Sequence, residues 1–189
     1  MQHVTAIDAK LTEELFSRLP HTSFLNIFFS FFSFIEGSVL IWLLIITAIA
    51  LFVEKRKKSF IIFFSASLLF TYWFVEMFLK NIFMRVRPDI LDRYRLLGDL
   101  PYSCPTDFSF PSGHAAVAFA SSVLISHYDK KHRYFYHGIA LIISFSRIYL
   151  GCHFLLDVAV GGLIGAIISN IIIQRIIAYR KKKIDVHKD

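Results

Sequence analysis

Long uncharged runs separated by short charged clusters set the pattern of this chain. Residues 37–53, 59–75 and 158–173 contain no Asp, Glu, Lys or Arg. Each approaches the roughly 17–25 residues an α-helix needs to cross a bilayer. Extended to the next charged or turn-forming positions, the pattern predicts five spans, at 37–53, 59–83, 112–128, 134–150 and 153–179. Ahead of them, residues 5–20 repeat Ile7, Leu11, Leu15, Phe16 and Leu19 at helical spacing, with Lys10, Glu13, Glu14 and Arg18 between, which predicts an amphipathic helix ended by Pro20. Residues 22–35 are apolar but short. We read 5–36 as interfacial, with 22–36 as a short sixth span as the alternative. Residues 1–10 lack the apolar core of a signal peptide, so no cleaved leader is expected. The fold class is therefore all-α: a polytopic membrane helix bundle of five or six spans plus an N-terminal interfacial helix.

Composition agrees. Of 189 residues, 56% are hydrophobic and 21 are Phe, too apolar for an ordinary soluble domain. The formal net charge of +7 taken alone would point to nucleic acid, but its placement argues against that. The basic clusters Lys55–Lys58, Lys130–Arg133 and Arg180–Lys183 flank apolar runs and all fall on one side of the predicted topology, which marks the cytoplasmic face. The expected organisation is an interfacial region at 1–36, a transmembrane domain at 37–179 with an extracytoplasmic loop at 84–111, and a basic cytoplasmic tail at 180–189. The loop is long for a simple connection and carries Arg85, Arg87, Arg93 and Arg95 against the charge trend, which an anion-binding role would explain.

The candidate chemistry gathers at the loop's face of the membrane. Pro111, Ser112, Gly113 and His114 open the third span. Proline suits a helix start, serine suits an N-cap and glycine admits close backbone approach, so free N–H groups meet a hydroxyl and an imidazole at a site that favours phosphate. Lys80, Arg87 and Arg147 lie at the ends of the neighbouring spans, where arginine can bind phosphoryl oxygens bidentately. His153 and Asp157, four residues apart, share a helix face, so a carboxylate can fix an imidazole tautomer. Charges placed within spans are costly, and are functional by default.

Lys80, Arg87 and Pro88, then Pro111 to His114, then Ser146, Arg147, His153 and Asp157 together resemble the three-part signature of the type 2 phosphatidic acid phosphatase family, whose phosphate site is shared with vanadium haloperoxidases. The motifs cover residues 80–157 with no departure at any motif position. Many family members have an additional first span where this chain has the interfacial helix. The resemblance implies that His153 is the nucleophile forming a phosphohistidine, that Asp157 orients it, and that His114 protonates the leaving group and then activates water. It implies that Lys80, Arg87, Ser112, Gly113 and Arg147 hold the phosphoryl oxygens. No acidic metal cluster is visible, so no cofactor and no metal ion are expected.

These readings imply an integral-membrane lipid phosphatase acting on the phosphate monoester or diphosphate of a membrane lipid. Undecaprenyl diphosphate, phosphatidylglycerophosphate, phosphatidic acid and lipid A phosphates are all compatible. The alternatives are a lipid-to-lipid phosphotransferase and a non-catalytic phosphate-headgroup binder or transporter. Small size and simple topology suggest a bacterial inner membrane, with the site facing the extracytoplasmic side. Three further expectations are less directed. Glu76 pairs with Lys80 four residues on. Arg85 reads as an exposed loop charge, with a headgroup contact as the alternative. Cys104 and Cys152 read by default as two free thiols, with a bridge as the alternative.

Overall fold

The structure, a computed structural model, describes residues 2–33, 42, 57–90 and 104–186. Among these residues it is all-helical. The predicted first span, 37–53, lies outside them apart from Trp42, which is buried in the core cluster that also holds Phe64, Leu124 and Ile143. Helix α1 (Gln2–Arg18) stops just before Pro20, and α2 (Ser23–Ser33) follows. Helix α3 (Lys57–Trp73) continues through a π-helical turn, Phe74–Leu79, into the short α4 (Lys80–Phe83). Then come α5 (Gly113–Tyr128), α6 (Arg133–Tyr149) and α7 (Leu155–Val186). The predicted spans at 59–83, 112–128, 134–150 and 153–179 match the last of these helices closely. The main difference is that α7 begins after a turn at His153 and runs on into the basic tail.

Among the described residues, two stretches are long and apolar enough to cross a membrane: Ile62–Phe83, of 22 residues, and Leu155–Tyr179, of 25. At about 1.5 Å per residue these exceed the ~30 Å hydrocarbon thickness. Helices α5 and α6, with 16 and 17 residues, are shorter.

Helix α5 sits at the centre and packs most extensively on α7 and α6. Its inward surface is built from small residues, with Ala115, Ala116, Ala118, Ala120, Ser121 and Ser122 all buried. Helix α7 meets it with Gly161 and Gly165, where an added Cβ would run into the carbonyl oxygens of Ser112 and Ala116. This is the close backbone approach that small residues four apart permit. It brings the start of α5 beside the start of α7.

The N-terminal helices bury several polar residues and expose several large apolar ones. On α1, Asp8 and Thr12 are buried while Ile7 and Leu11 are 60% and 50% exposed. Phe16 is buried, and Leu15 and Leu19 are partly covered, so the predicted apolar stripe faces inward only at its C-terminal end. On α2, Asn26, Ser30 and Ser33 are buried and Phe24, Ile27 and Phe31 are exposed. The buried polar groups meet partners: Tyr149 Oη donates to Asn26 Oδ1 at 2.8 Å, and Arg147 Nη1 donates to the Ser33 hydroxyl and, at 3.2 Å, to its carbonyl. Hydrogen-bonding needs, rather than apolar burial, decide which face of these helices turns inward.

Candidate active site

The π-helical turn just before Lys80 changes the local register: Lys80 N–H bonds Val75 O, five residues back. Such turns recur at functional sites. Here Lys80 is buried, with its ammonium held by Glu76 at 2.7 Å and by Asp107. The Glu76–Lys80 pairing is as the spacing predicts. After Met84, whose φ of 46° ends α4 in a left-handed turn, the chain delivers Arg85 and Arg87 into the same region.

Arg87 is the hub. Its Nη1 lies 2.9 Å from His153 Nε2 and donates to Cys152 O at 2.9 Å. Its Nε and Nη2 donate to the Asp107 carbonyl at 2.9 Å and to Asp107 Oδ1 at 2.6 Å. A guanidinium only donates, so His153 Nε2 must accept and the ring proton sits on Nδ1. Nδ1 faces Asp157 Oδ2 at 3.4 Å, longer than an ordinary hydrogen bond. Both residues are fully enclosed.

Ser112 occupies the N-cap position of α5 in extended backbone, but its hydroxyl makes no cap hydrogen bond. Among the described residues, Ser112 Oγ and His114 Nε2 both find no hydrogen-bond partner. The Ser112 N–H donates to Asp157 O at 2.9 Å, which joins the starts of α5 and α7. Gly113 faces Glu76, whose carboxylate fills the space a side chain would need. Arg147 is buried at the end of α6, and its carbonyl accepts the His153 N–H at 3.2 Å. The charges of Arg147, Arg87 and Lys80 act on both His114 and His153. All eight sequence-predicted site residues therefore converge on one end of the bundle.

Two expectations are corrected. Arg85 is not an exposed loop charge: its side chain is 15% exposed and its Nη1 donates to Asp157 Oδ1 at 2.7 Å. Its neighbour in sequence gave no sign of this, because the partner is 72 residues away. Cys104 and Cys152 are not free thiols but a disulfide, with Cα atoms 5.3 Å apart. The bridge ties the loop to the turn before His153. Sequence reading also missed Asp107 and Ser109. Ser109 is buried and pairs the loop to the 85–86 backbone, its N–H donating to Arg85 O at 2.7 Å and its hydroxyl to Val86 O at 3.3 Å. Nothing in a loop serine or aspartate signals such a partner in advance.

A model of the PAP2 superfamily matches residues 60–181, which contain this whole constellation. The chain belongs to the PAP2 superfamily. Among solved structures it is similar to LpxE of Aquifex aeolicus, at 32% identity and a TM-score of 0.62, covering 86% of this chain and 92% of that one. The fold is also that of a transmembrane PAP2-type phosphatidylglycerolphosphate phosphatase from Bacillus subtilis, at 22% identity and a TM-score of 0.65, covering 96% of this chain and 88% of that one. An undecaprenyl-diphosphatase of Sulfolobus acidocaldarius is 39% identical over 71 residues, which is 37% of this chain and 34% of that protein. The matched segments amount to 30–48% of the lengths of the curated relatives.

Proposed function

We propose that this PAP2 protein is an integral-membrane lipid phosphatase that removes phosphate from a lipid phosphate monoester or diphosphate. The observation that carries the reading is the state of His153. Nε2 lies 2.9 Å from Arg87 Nη1 among the cations, where an entering phosphoryl group would take the guanidinium's contact and free the lone pair, and Nδ1 faces Asp157 Oδ2 at 3.4 Å. That is the arrangement a nucleophilic imidazole needs.

In the proposed reaction the phosphoryl group enters between Lys80, Arg87, Arg147, the Ser112 hydroxyl and the Gly113 N–H. His153 Nε2 attacks phosphorus, so a P–N bond forms as the P–O bond to the lipid breaks. Protonated His114 gives its proton to the departing oxygen. Water then attacks the phosphohistidine, His114 takes back a proton, and inorganic phosphate leaves with His153 restored. Asp157 balances the positive charge that builds on the His153 ring. Such a transfer depends on in-line positioning and charge neutralisation, which three permanent cations supply without a metal ion. The exposed apolar faces suit a substrate whose tails stay in the bilayer, and the basic clusters suit an extracytoplasmic site in a bacterial inner membrane.

The test is inorganic phosphate release by purified protein from a panel of lipid phosphates and diphosphates, with EDTA present. Release from at least one lipid is expected, with loss of ~10³-fold or more in His153→Ala. Phosphate appearing on a second lipid instead of in solution would indicate a transferase. Binding without turnover would indicate a headgroup carrier, and loss of the parent's rate in EDTA would overturn metal independence.

A further inference from the structure

The N-terminal helix reaches into the machinery around Asp157. The first N–H groups of a helix have no partner within it. Around the start of α7, Phe154 N–H donates to Asp157 Oδ2 at 2.9 Å, Leu155 N–H to Thr12 Oγ1 at 3.1 Å, and Leu156 N–H to Asp8 Oδ1 at 3.0 Å. Two of these three acceptors belong to α1. The Thr12 hydroxyl in turn donates to the Asp8 carbonyl at 2.7 Å. The second oxygen of Asp8 pairs with Arg85 Nη2 at 2.7 Å, while Arg85 Nη1 holds Asp157 Oδ1 at 2.7 Å. The guanidinium lies 3.9 Å over the Phe154 ring. Side-chain exposures of 2% for Asp8, 15% for Arg85 and 0% for Asp157 place the relay out of bulk water.

The consequence is geometric. A carboxylate can rotate and present either oxygen. Arg85 occupies Oδ1 with a charge-assisted hydrogen bond, and Oδ2, which already accepts the Phe154 N–H, is the oxygen turned toward His153. Two residues before Arg87, an unanchored guanidinium would be drawn to a bound phosphate. Asp8 supplies the competing anion that keeps Arg85 on Asp157. Each of the two buried carboxylates thereby contacts the one guanidinium, although a single cation balances only one of their charges.

We propose that Arg85 and Asp8 are positioning residues of the His153–Asp157 pair, with α1 an integral part of the catalytic apparatus. The proposal rests on His153 acting as the nucleophile. It is tested on the full chain in detergent micelles with Arg85→Ala, Arg85→Lys, Asp8→Asn, Asp8→Ala and the Asp8→Ala, Arg85→Ala double variant. Two readouts are used: lipid phosphate turnover with its inhibition by vanadate, and nitrogen NMR of labelled histidine, which needs no turnover. Arg85→Ala is expected to lower kcat roughly 100-fold while KM and the vanadate inhibition constant stay within about threefold. Arg85→Lys restores about tenfold of that loss, and the double variant is no worse than Arg85→Ala, because both act through one relay. The His153 ring is expected to hold a single Nδ1–H tautomer in the parent and to populate both in Arg85→Ala and Asp8→Ala.

A kcat for folded Arg85→Ala within about threefold of the parent, additive losses in the double variant, or unchanged His153 ring shifts would each overturn the proposal. Should the parent release phosphate from no lipid, the phosphatase reading fails and the ring shifts alone decide the relay. Should the alanine variants not fold, Asp8→Asn and Arg85→Lys, which keep side-chain shape, carry the same comparison.

Discussion

Asp107 offers one carboxylate oxygen to Lys80 and the other to Arg87, two of the cations proposed to hold a phosphate. Burial alone would raise its pKa. Hydrogen bonds from Lys80 and Arg87, with their charges, override that and hold it down at about 2. Because the folded state favours the anion, the contribution to stability is fully present above the ordinary value of 3.8 and fades as pH falls toward about 2. The Tm difference between the parent and Asp107→Asn should stay constant from about pH 7 to about 4 and then shrink. A difference that grew on acidification would contradict the pairing. The same carboxylate engages donors that a phosphoryl group needs. Asp107→Asn should therefore tighten vanadate inhibition by roughly three- to tenfold, since an exposed ion pair is a modest competitor. Weaker inhibition would make Asp107 a substrate contact instead. At this scale, the eight motif residues could be singled out because they fall in three short motifs and most carry charges or imidazoles that are costly in a membrane. Asp107, Ser109 and Asp8 could not, since an isolated loop or helix polar residue carries no record of its distant partner.

Two elements transmit order to the site. The first is the contact of α5 with α7, where Gly165 lies against the Ala116 carbonyl. Gly165→Val would force the helices apart, because the obstacle is backbone and cannot move aside. It should cost about 1–3 kcal/mol, as overpacked interiors do, and lower activity by separating Ser112 from Asp157. Thermal unfolding and turnover measured together check this, and an unperturbed Tm would count against the close packing. The second is the Cys104–Cys152 disulfide, which closes a loop with a sequence separation of 48. Loop-closure entropy for that length corresponds to about 4 kcal/mol. Paired Cys104→Ser and Cys152→Ser substitutions should lower stability by up to that amount and raise KM, since the loop carrying Asp107 and Ser109 loses its anchor. Equal KM in both forms would show that the Ser109 backbone pairing suffices. Helix boundaries were legible from Pro20, the charge clusters and the glycines. The π-helical turn before Lys80 was not, because its register shift follows from contacts rather than from residue type.

At the scale of the molecule, α1 and α2 turn Asp8, Thr12, Asn26, Ser30 and Ser33 inward and leave Ile7, Leu11, Phe24, Ile27 and Phe31 exposed. The site lies at the bundle end opposite the turn containing Lys130 and Lys131. That turn is ordered by Asp129, which accepts hydrogen bonds from His132 at 2.7 Å and Tyr136 at 2.5 Å. If positive charge marks the cytoplasmic face, Lys131→Cys in sealed vesicles should react with an impermeant maleimide from the cytoplasmic side alone. Reaction from the other side would reverse the orientation proposed for the active site.

By itself the sequence determined an all-helical, membrane-suited chain and, through the resemblance of its motifs, which residues to propose for a phosphate site. Both are written in periodicity, charge placement and short spacings, which local physics converts directly into helices and shared faces. Only the tertiary structure decided that Arg85 serves Asp157, that Asp8 and Thr12 complete the start of α7, and that Cys104 meets Cys152. It also decided which face of α1 turns inward. Periodicity defines a stripe, but whether that stripe meets lipid or protein depends on which unpaired hydrogen-bonding groups lie beside it, and those come from the other end of the chain.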